Sequence, residues 1–427
     1  MKRNAAWAFA GNSVYAGCQW VVFVLIVKTL SAQEAGTFAY ATAVTGPIFV
    51  LTNVRLRNLL ATGVDTAGGF TDYVTARVLT TIAGVSICLA AGALLSPGLG
   101  SFVIVAVMAL GRACDALSDI CHGLFQRELD MRSAAIGLSV NGIVSVALVS
   151  LALVVSQSLV ATTAAYAGGS LVALAAWDLR KTVQRLAPSR PAGGEHGGLS
   201  GSAASAVQLI TTAVPLGLSS AIGSVQTNVP RYVIAFSLGA ASLAKFAAIS
   251  YVPLVGHLIV NATSQAALPI LANDARTSDR EYRARLVLLV FVTIAAGAAT
   301  LLAVFRYGGA VLSLVYGKDY TGYSDVLFWL TAATVVTFAS VFLGTGTTAR
   351  RRFKSQLVIS AMSLVVVAAC APPLVRGFGL VGSAWALFAG ASFEFIAYAV
   401  LTIRDLRSPT VVVTTIGRSP VAGGLTP

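Results

Sequence analysis

The sequence predicts an all-α polytopic membrane protein: about twelve transmembrane helices in two six-helix bundles, related by a parallel repeat around a central cleft. Three observations lead there. Only 11% of the 427 residues are charged while 56% are hydrophobic, against about a quarter and 45–50% in soluble domains. Apolar runs of about 18 residues or more recur along the whole chain, each long enough to cross roughly 30 Å of hydrocarbon. The basic residues gather between alternate runs, the pattern of a chain that weaves back and forth through a bilayer.

Lipid tolerates only helices or a closed barrel, because every backbone polar group must find a partner within the protein. A barrel would show alternating segments of about ten residues; the runs here are about twice as long and do not alternate, so they are helices. In order they cover 5–27, 36–56, 76–96, 100–123, 133–155 and 159–178, then 206–235, 241–271, 285–305, 321–347, 355–374 and 379–402. Turns such as SAQEAG, SPGLG, SQSL, LGAAS, RYGG and VRGFG join them on one side. On the other side lies the longest polar stretch, 179–205, whose Pro, Gly, Ser and Arg content reads as a flexible linker. It divides a first bundle, 1–178, from a second, 206–404, and residues 405–427 read as a disordered tail.

Of the 29 Lys and Arg residues, 22 fall toward the side of the amino terminus and six toward the other, with Arg112 alone assigned to neither and left inside. The positive-inside rule then places both termini in the cytoplasm. The net charge of +13 is therefore a property of topology and gives no reason to expect a nucleic-acid partner. The five cysteines all lie within spans, where they serve as small apolar residues, with neither a disulfide framework nor zinc spacing. No cofactor motif is present, and the first apolar stretch is long enough to span rather than to be cleaved as a signal.

A shift of 208 residues aligns Leu30–Ala39 with Leu238–Ala247, matching Leu30 with Leu238 and Phe38 with Phe246. A shift of 223 brings GLFQRELDMRS, from Gly123, onto GTTARRRFKSQ, from Gly346. Six spans per half, both halves starting on the same side, describe a parallel repeat about an axis along the membrane normal. Two such bundles enclose a cleft, and a ligand site near the midplane is expected between them.

Ionisable groups inside spans are costly and mark candidate sites. Arg112, Asp115, Asp119, His122 and Gln126 follow at steps of three and four residues, along one helix face. They read either as the wall of a watery cavity or as a structural network in which Arg112 neutralises Asp115. The seventh span places Ser220, Ser224, Asn228 and Arg231 on one face, with Pro230 as a possible break. Arg231 can equally snorkel to the outer interface. The eighth aligns His257, Asn261 and Gln265 at i+4 steps, and His257 can change charge near neutral pH. Asn12, Tyr15 and Gln19 share a face of the first span; Asn53 and Arg57 stand at the end of the second, and Arg55 and Arg57 double as topology anchors. Glu394 is the sole acid of the twelfth span.

The stretch LGLSSAIGSVQTNVPRYVIAFSLGAASLAKFAAISYVPL, Leu216–Leu254, resembles the seventh and eighth spans of bacterial polysaccharide flippases of the multidrug/oligosaccharidyl-lipid/polysaccharide exporter superfamily, most specifically at Asn228–Tyr232. LSAQEAGTFAYATAVTGPI, RLRNLLATG with FTDYVTAR, VYGKDYTGYSDVLFWL and GFGLVGSAWAL extend the resemblance over nearly the whole chain. It implies two bundles around an inverted-V cavity in a bacterial inner membrane. It also implies transfer of undecaprenyl-pyrophosphate-linked oligosaccharide from the cytoplasmic to the outer leaflet, with a polymerase or export system as a possible partner beside the membrane lipids.

On that reading Arg112, Arg231, His257, Asn228, Arg57, Asn261 and Gln19 are the substrate-binding candidates, and Asp115, Asp119 and Glu394 the ion-coupling ones. YGKDY lacks the Gly and Ser/Thr of a phosphate-binding loop, so ATP hydrolysis is not expected. A multidrug–cation antiporter of the same superfamily is the first alternative, although its cavity should be acidic. A membrane glycosyltransferase or polymerase is the second, although such enzymes need sizeable outer loops.

Overall fold

A computed structural model describes residues 2–61, 69–96, 98–187 and 203–407, almost all of them helical. The helices are α1 (Lys2–Thr29), α2 (Ala32–Thr52), α3 (Leu56–Ala61), α4 (Phe70–Leu95), α5 (Leu99–Arg127), α6 (Met131–Val155), α7 (Leu159–Ala173), α8 (Arg180–Leu186), α9 (Ala203–Ser237), α10 (Ala240–Tyr251), α11 (Val255–Thr277), α12 (Asp279–Tyr316), α13 (Ser324–Ala349) and α14 (Phe353–Arg407). Among the described residues nine helices are long and apolar enough to cross a membrane singly, and the pair α10–α11, bent by 48°, makes a tenth crossing.

Two further crossings come from length. At about 1.5 Å per residue the 55 residues of α14 would run more than twice the hydrocarbon thickness, and Gly379, at φ 60° and ψ −136°, breaks the helix. α9, with 35 residues, spans easily. Twelve crossings result, in the order the hydropathy predicts. The bend in the eighth falls at Val252–Leu254, where Pro253 offers no N–H to the helix ladder. By contrast α9 runs unbroken through Pro230.

The repeat is visible in the turns. Leu30 N donates to Ile26 O and Leu238 N to Ile234 O, while Ala35 N donates to Ser31 O and Leu243 N to Gly239 O, each pair 208 residues apart. The turn after α5 recurs after α13. Glu128, Leu129 and Asp130 donate to Leu124, Gln126 and Phe125; Arg350, Arg351 and Arg352 donate to Gly346, Thr348 and Thr347. Leu129 and Arg351 both take a φ of 58°. The structural offset here is 222 residues, one fewer than the sequence alignment of glycines gives. At the same offset Gln157 (φ 47°), between α6 and α7, matches Gly379 at the break in α14.

The equivalent helices α2 and α10 cross at the end remote from the basic loops. Their backbones touch there: a Cβ on Gly36 would sit 1.8 Å from the carbonyl oxygen of Ala240, so only glycine fits. Around this crossing one apolar core includes Phe23, Ile26 and Phe38 of the first half and Phe246, Leu312 and Leu327 of the second. Toward the basic end it divides. Leu56, Leu60 and Phe125 pack with Leu209 of α9, while Leu271, Tyr282, Leu343 and Tyr398 form a separate cluster.

Each half is also tied off at the basic end. α7 passes through a π-helical turn, Leu174–Leu179, into α8, so helix extends to Leu186 where the sequence anticipates a linker from 179. Residues 188–202 and the predicted tail from 408 onward lie outside the described residues. From α8, Arg185 reaches Glu128 at 2.7 Å and also pairs with Asp130, its guanidinium over the Phe125 ring. In the second half Arg350 pairs with Asp279 and Arg352 with Asp405 at 2.9 Å, and Arg350 stacks over Tyr282.

Candidate functional site

The stripe on α5 is the backbone of the site, and its two ends have different fates. Steps of three and four residues spread its five members over roughly 80° of helix circumference, so alternate members meet different neighbours. Toward the basic end every member is engaged. Asp119 lies 2.9 Å from Arg77 of α4 and 3.4 Å from Arg57 of α3. Arg77 also donates to the Asn53 side chain at 2.7 Å, and Arg57 to Gln126 at 3.2 Å. Arg77, one of the 22 cations that the sequence assigns to the side of the amino terminus, is fully buried. His122 meets Asp178 at 3.0 Å, both buried. Gly137 of α6 leaves room for that pair, since a Cβ there would come 2.4 Å from Asp178 Oδ1.

Toward mid-membrane the pairing loosens. Arg112 Nη1 is 3.7 Å from Asp115 Oδ2, beyond hydrogen-bond length, while Asp115 Oδ1 accepts from Asn141 of α6 at 2.9 Å. Arg112 Nε and Asp115 Oδ2 are buried with no hydrogen-bond partner. Close helix contact brings the remaining neighbours in. A Cβ on Gly111 would lie 3.0 Å from the Ala167 backbone, which places Tyr166 of α7 against Arg112. Tyr166 donates to Gln19 of α1 at 2.6 Å, and Tyr15, one turn earlier on α1, lies in electrostatic reach of Arg112 and Tyr166.

The second cation comes from the other half. Arg231 of α9 turns inward instead of snorkelling: its Nη1 donates to Asn228 at 3.3 Å, and its Nε is buried without a partner. Among the described residues no carboxylate pairs with it. Tyr251, at the end of α10, is an electrostatic neighbour of both Arg112 and Arg231. The structure thus gathers Asp115, Gln19, Tyr15 and Tyr166 around Arg112 and sets Asn228 beside Arg231, with Tyr251 a charge neighbour of both arginines. Holding an arginine in mid-membrane costs at least about 2.5–3.5 kcal/mol on insertion scales, and here the offset from a carboxylate is partial at Arg112 and missing at Arg231.

The other predicted residues stand apart from that cluster. His257 lines a neighbouring cavity with Tyr251 and Trp20 and stacks edge-on against Phe338 at 4.7 Å. Asn261, one turn on, is exposed. Glu394 lies in the second half in a polar pocket of about 270 Å³ with Thr345, Gln356 and Tyr398, and hydrogen-bonds Gln226 of α9. Arg57 and Asp119 belong to the paired basic end. Sequence reading passed over Tyr166, Tyr251 and Asn141, all of which lie on helices other than α5. Their signal is faint: a lone Tyr or Asn in an apolar run is ordinary.

Comparison with known proteins gives concordant results. The profile of the family described as polysaccharide biosynthesis protein matches residues 1–273. The chain is 23% identical over 402 residues to the capsular polysaccharide biosynthesis protein CapF of Staphylococcus aureus, covering 93% of this chain and 98% of CapF. Its fold is similar to the lipid II flippase MurJ in an inward closed conformation, with a TM-score of 0.74 at 12% identity over 93% of this chain and 88% of MurJ. It is also similar to an inward-facing multidrug resistance transporter of the MATE family and MOP superfamily, with a TM-score of 0.71 at 12% identity over 93% of this chain and 98% of the other.

Proposed function

Because this chain belongs to the polysaccharide biosynthesis protein family, we propose that it is a flippase for undecaprenyl-pyrophosphate-linked oligosaccharide, the repeat unit of a polysaccharide. It moves that lipid from the cytoplasmic to the outer leaflet by alternating access, without ATP hydrolysis and without making or breaking a covalent bond. The observation that carries the reading is a pair of arginines within the spans that lack close carboxylates: Arg112 comes no nearer than 3.7 Å to Asp115, and among the described residues none pairs with Arg231. A pyrophosphate offers oxygens spaced for bidentate guanidinium contacts, and such charge-assisted bonds are about twice as strong as neutral ones. Gln19, Tyr15, Tyr166 and Asn228 are at hand for further polar contacts.

The two arginines come from the two halves, 1–178 and 206–404, so a ligand between them couples the bundles. With the basic end in the cytoplasm, as the loop charges favour, the shared core around Gly36 and Ala240 closes the outer side. The divided cores leave the cytoplasmic side as the way in. An excess of cations over acids also speaks against a cavity built for organic cations, and the short turns leave no outer domain for a polymerising enzyme.

The test is transport in vesicles. Purified protein should move a fluorescent undecaprenyl-pyrophosphate sugar across the bilayer with no nucleotide present and should leave ethidium where it is. Ethidium transport without movement of the sugar lipid would assign the chain to the antiporters instead. Reporter fusions at Ser189 should read cytoplasmic and at Gly377 outer; the reverse would invert the direction proposed.

A further inference from the structure

Two apolar cavities meet at Val252 and Ile259, and Tyr251 stands in the wall of one of them. The first, about 590 Å³, lies between α1 and the α10–α11 bend, with Tyr251 in its wall beside Trp20, His257 and Ile259. The second, about 500 Å³, is an open groove between α11, α12 and α13. Val252 and Ile259 line both. His257 belongs to the first and Phe338 to the second, so their edge-on stack stands at the boundary.

The second cavity follows α12 from Leu289 to Val304, which is about 22 Å at the helical rise. Its lining is mostly apolar and its hydroxyl donors are already in use. Thr263, Thr293, Thr300, Thr331 and Thr334 line it, yet each hydroxyl already donates to the carbonyl four residues earlier, at 2.8–2.9 Å. These threonines offer their methyl groups to the cavity. An anion entering it would lose hydration and find no hydroxyl donor free among these threonines, whereas a hydrocarbon chain gives up nothing.

We infer that this second cavity seats the polyprenyl chain of the lipid-linked substrate. The pyrophosphate rests at Arg112 and Arg231, and the chain passes Tyr251 and Ile259 and lies along α12. This assignment rests on the flippase reading above. It favours a polyprenyl chain over a phospholipid acyl chain because the groove runs through the first cavity to Tyr251, the shared charge neighbour of two buried arginines, an arrangement that matches a lipid whose anionic head leaves the membrane surface.

The experiment compares farnesyl and undecaprenyl pyrophosphate binding to the full chain in phospholipid vesicles, for the wild type, Ala296→Trp and Ala295→Trp. Ala296 lines the cavity; Ala295, its neighbour on α12, is exposed and does not. Ala296→Trp should weaken undecaprenyl pyrophosphate at least tenfold and leave farnesyl pyrophosphate unchanged, while Ala295→Trp should change neither. A diazirine at the tail end of undecaprenyl pyrophosphate should label α12 or α13. Equal weakening of both probes by Ala296→Trp, labelling confined to other helices, or a phospholipid that undecaprenyl pyrophosphate cannot displace from the cavity would each overturn the groove assignment alone. Failure of either pyrophosphate to bind the wild type would overturn the flippase reading and the groove with it.

Discussion

The two ends of the α5 stripe obey the same spacing and do different work. From Asp119 to Gln126 each polar group is matched by a partner on another helix, and Arg77, with its Nε–H left over, gives its two other nitrogens to Asn53 and Asp119. From Arg112 to Asp115 the match is incomplete, with a buried donor and a buried acceptor left over. Satisfied networks inside a membrane hold helices together; incomplete ones hold capacity for a ligand. The same helix therefore carries a structural segment and a binding segment, and the difference lies in its neighbours.

The largest expected effect breaks the paired end. Asp119→Ala leaves Arg77 as an uncompensated buried cation, which should cost about 3–5 kcal/mol. It should show as lost membrane protein and a large drop in thermal unfolding temperature in detergent. Retained stability would place Asp119 with the ligand-binding residues instead.

At the loose end the outcome should invert. Arg112→Ala should reduce sugar-lipid transport at least tenfold with normal protein levels, and Arg112→Lys should keep part of the activity. The double change with Asp115→Ala sharpens the contrast. A well-expressed but inactive double mutant supports a ligand role, whereas restored transport would show that Arg112 only neutralises Asp115.

The smallest effect lies outside the membrane, at the tie between Arg185 and Asp130. Burial raises the Asp130 carboxyl, but hydrogen bonds from Ser133 and Arg185 outweigh it and hold the group below its usual range. A folded value below the unfolded one means stabilisation present above the unfolded carboxylate range and lost as pH falls through the folded value. The pair is partly exposed and screened by salt, so Arg185→Ala should cost no more than about 1 kcal/mol. It should also flatten the acid limb of a stability–pH curve.

The sequence makes the crossings legible because hydropathy and loop charge accumulate over hundreds of residues. It also makes the α5 stripe legible, since i+3 and i+4 spacing is a local property. It does not disclose which helix answers each member. Asn141 answers Asp115 across 26 residues, Arg77 answers Asp119 across 42 and Asp178 answers His122 across 56, distances that spacing rules cannot bridge. Arg77 illustrates the limit: in the sequence it is one more cation on the side of the amino terminus, and only packing shows that it points inward. The tyrosines were hidden for another reason. Tyr166 and Tyr251 acquire meaning only from the close approach of α7 to α5 and from the α10–α11 bend.

The ties at the basic end have a consequence for how such a chain assembles. In the first half the turn is acidic, Glu128 and Asp130, and the closing helix brings Arg185; in the second the turn is basic, Arg350 and Arg352, and the closing helix brings Asp405. The backbones of the two turns are interchangeable, as their shared hydrogen-bond pattern shows. Their charges are not. A closing helix that docked on the wrong half would bring Arg185 against arginines, or Asp405 against acids, and like charges in contact penalise the mistaken partner. As the chain is threaded into the membrane one half after the other, each bundle is locked with a key that the other cannot accept.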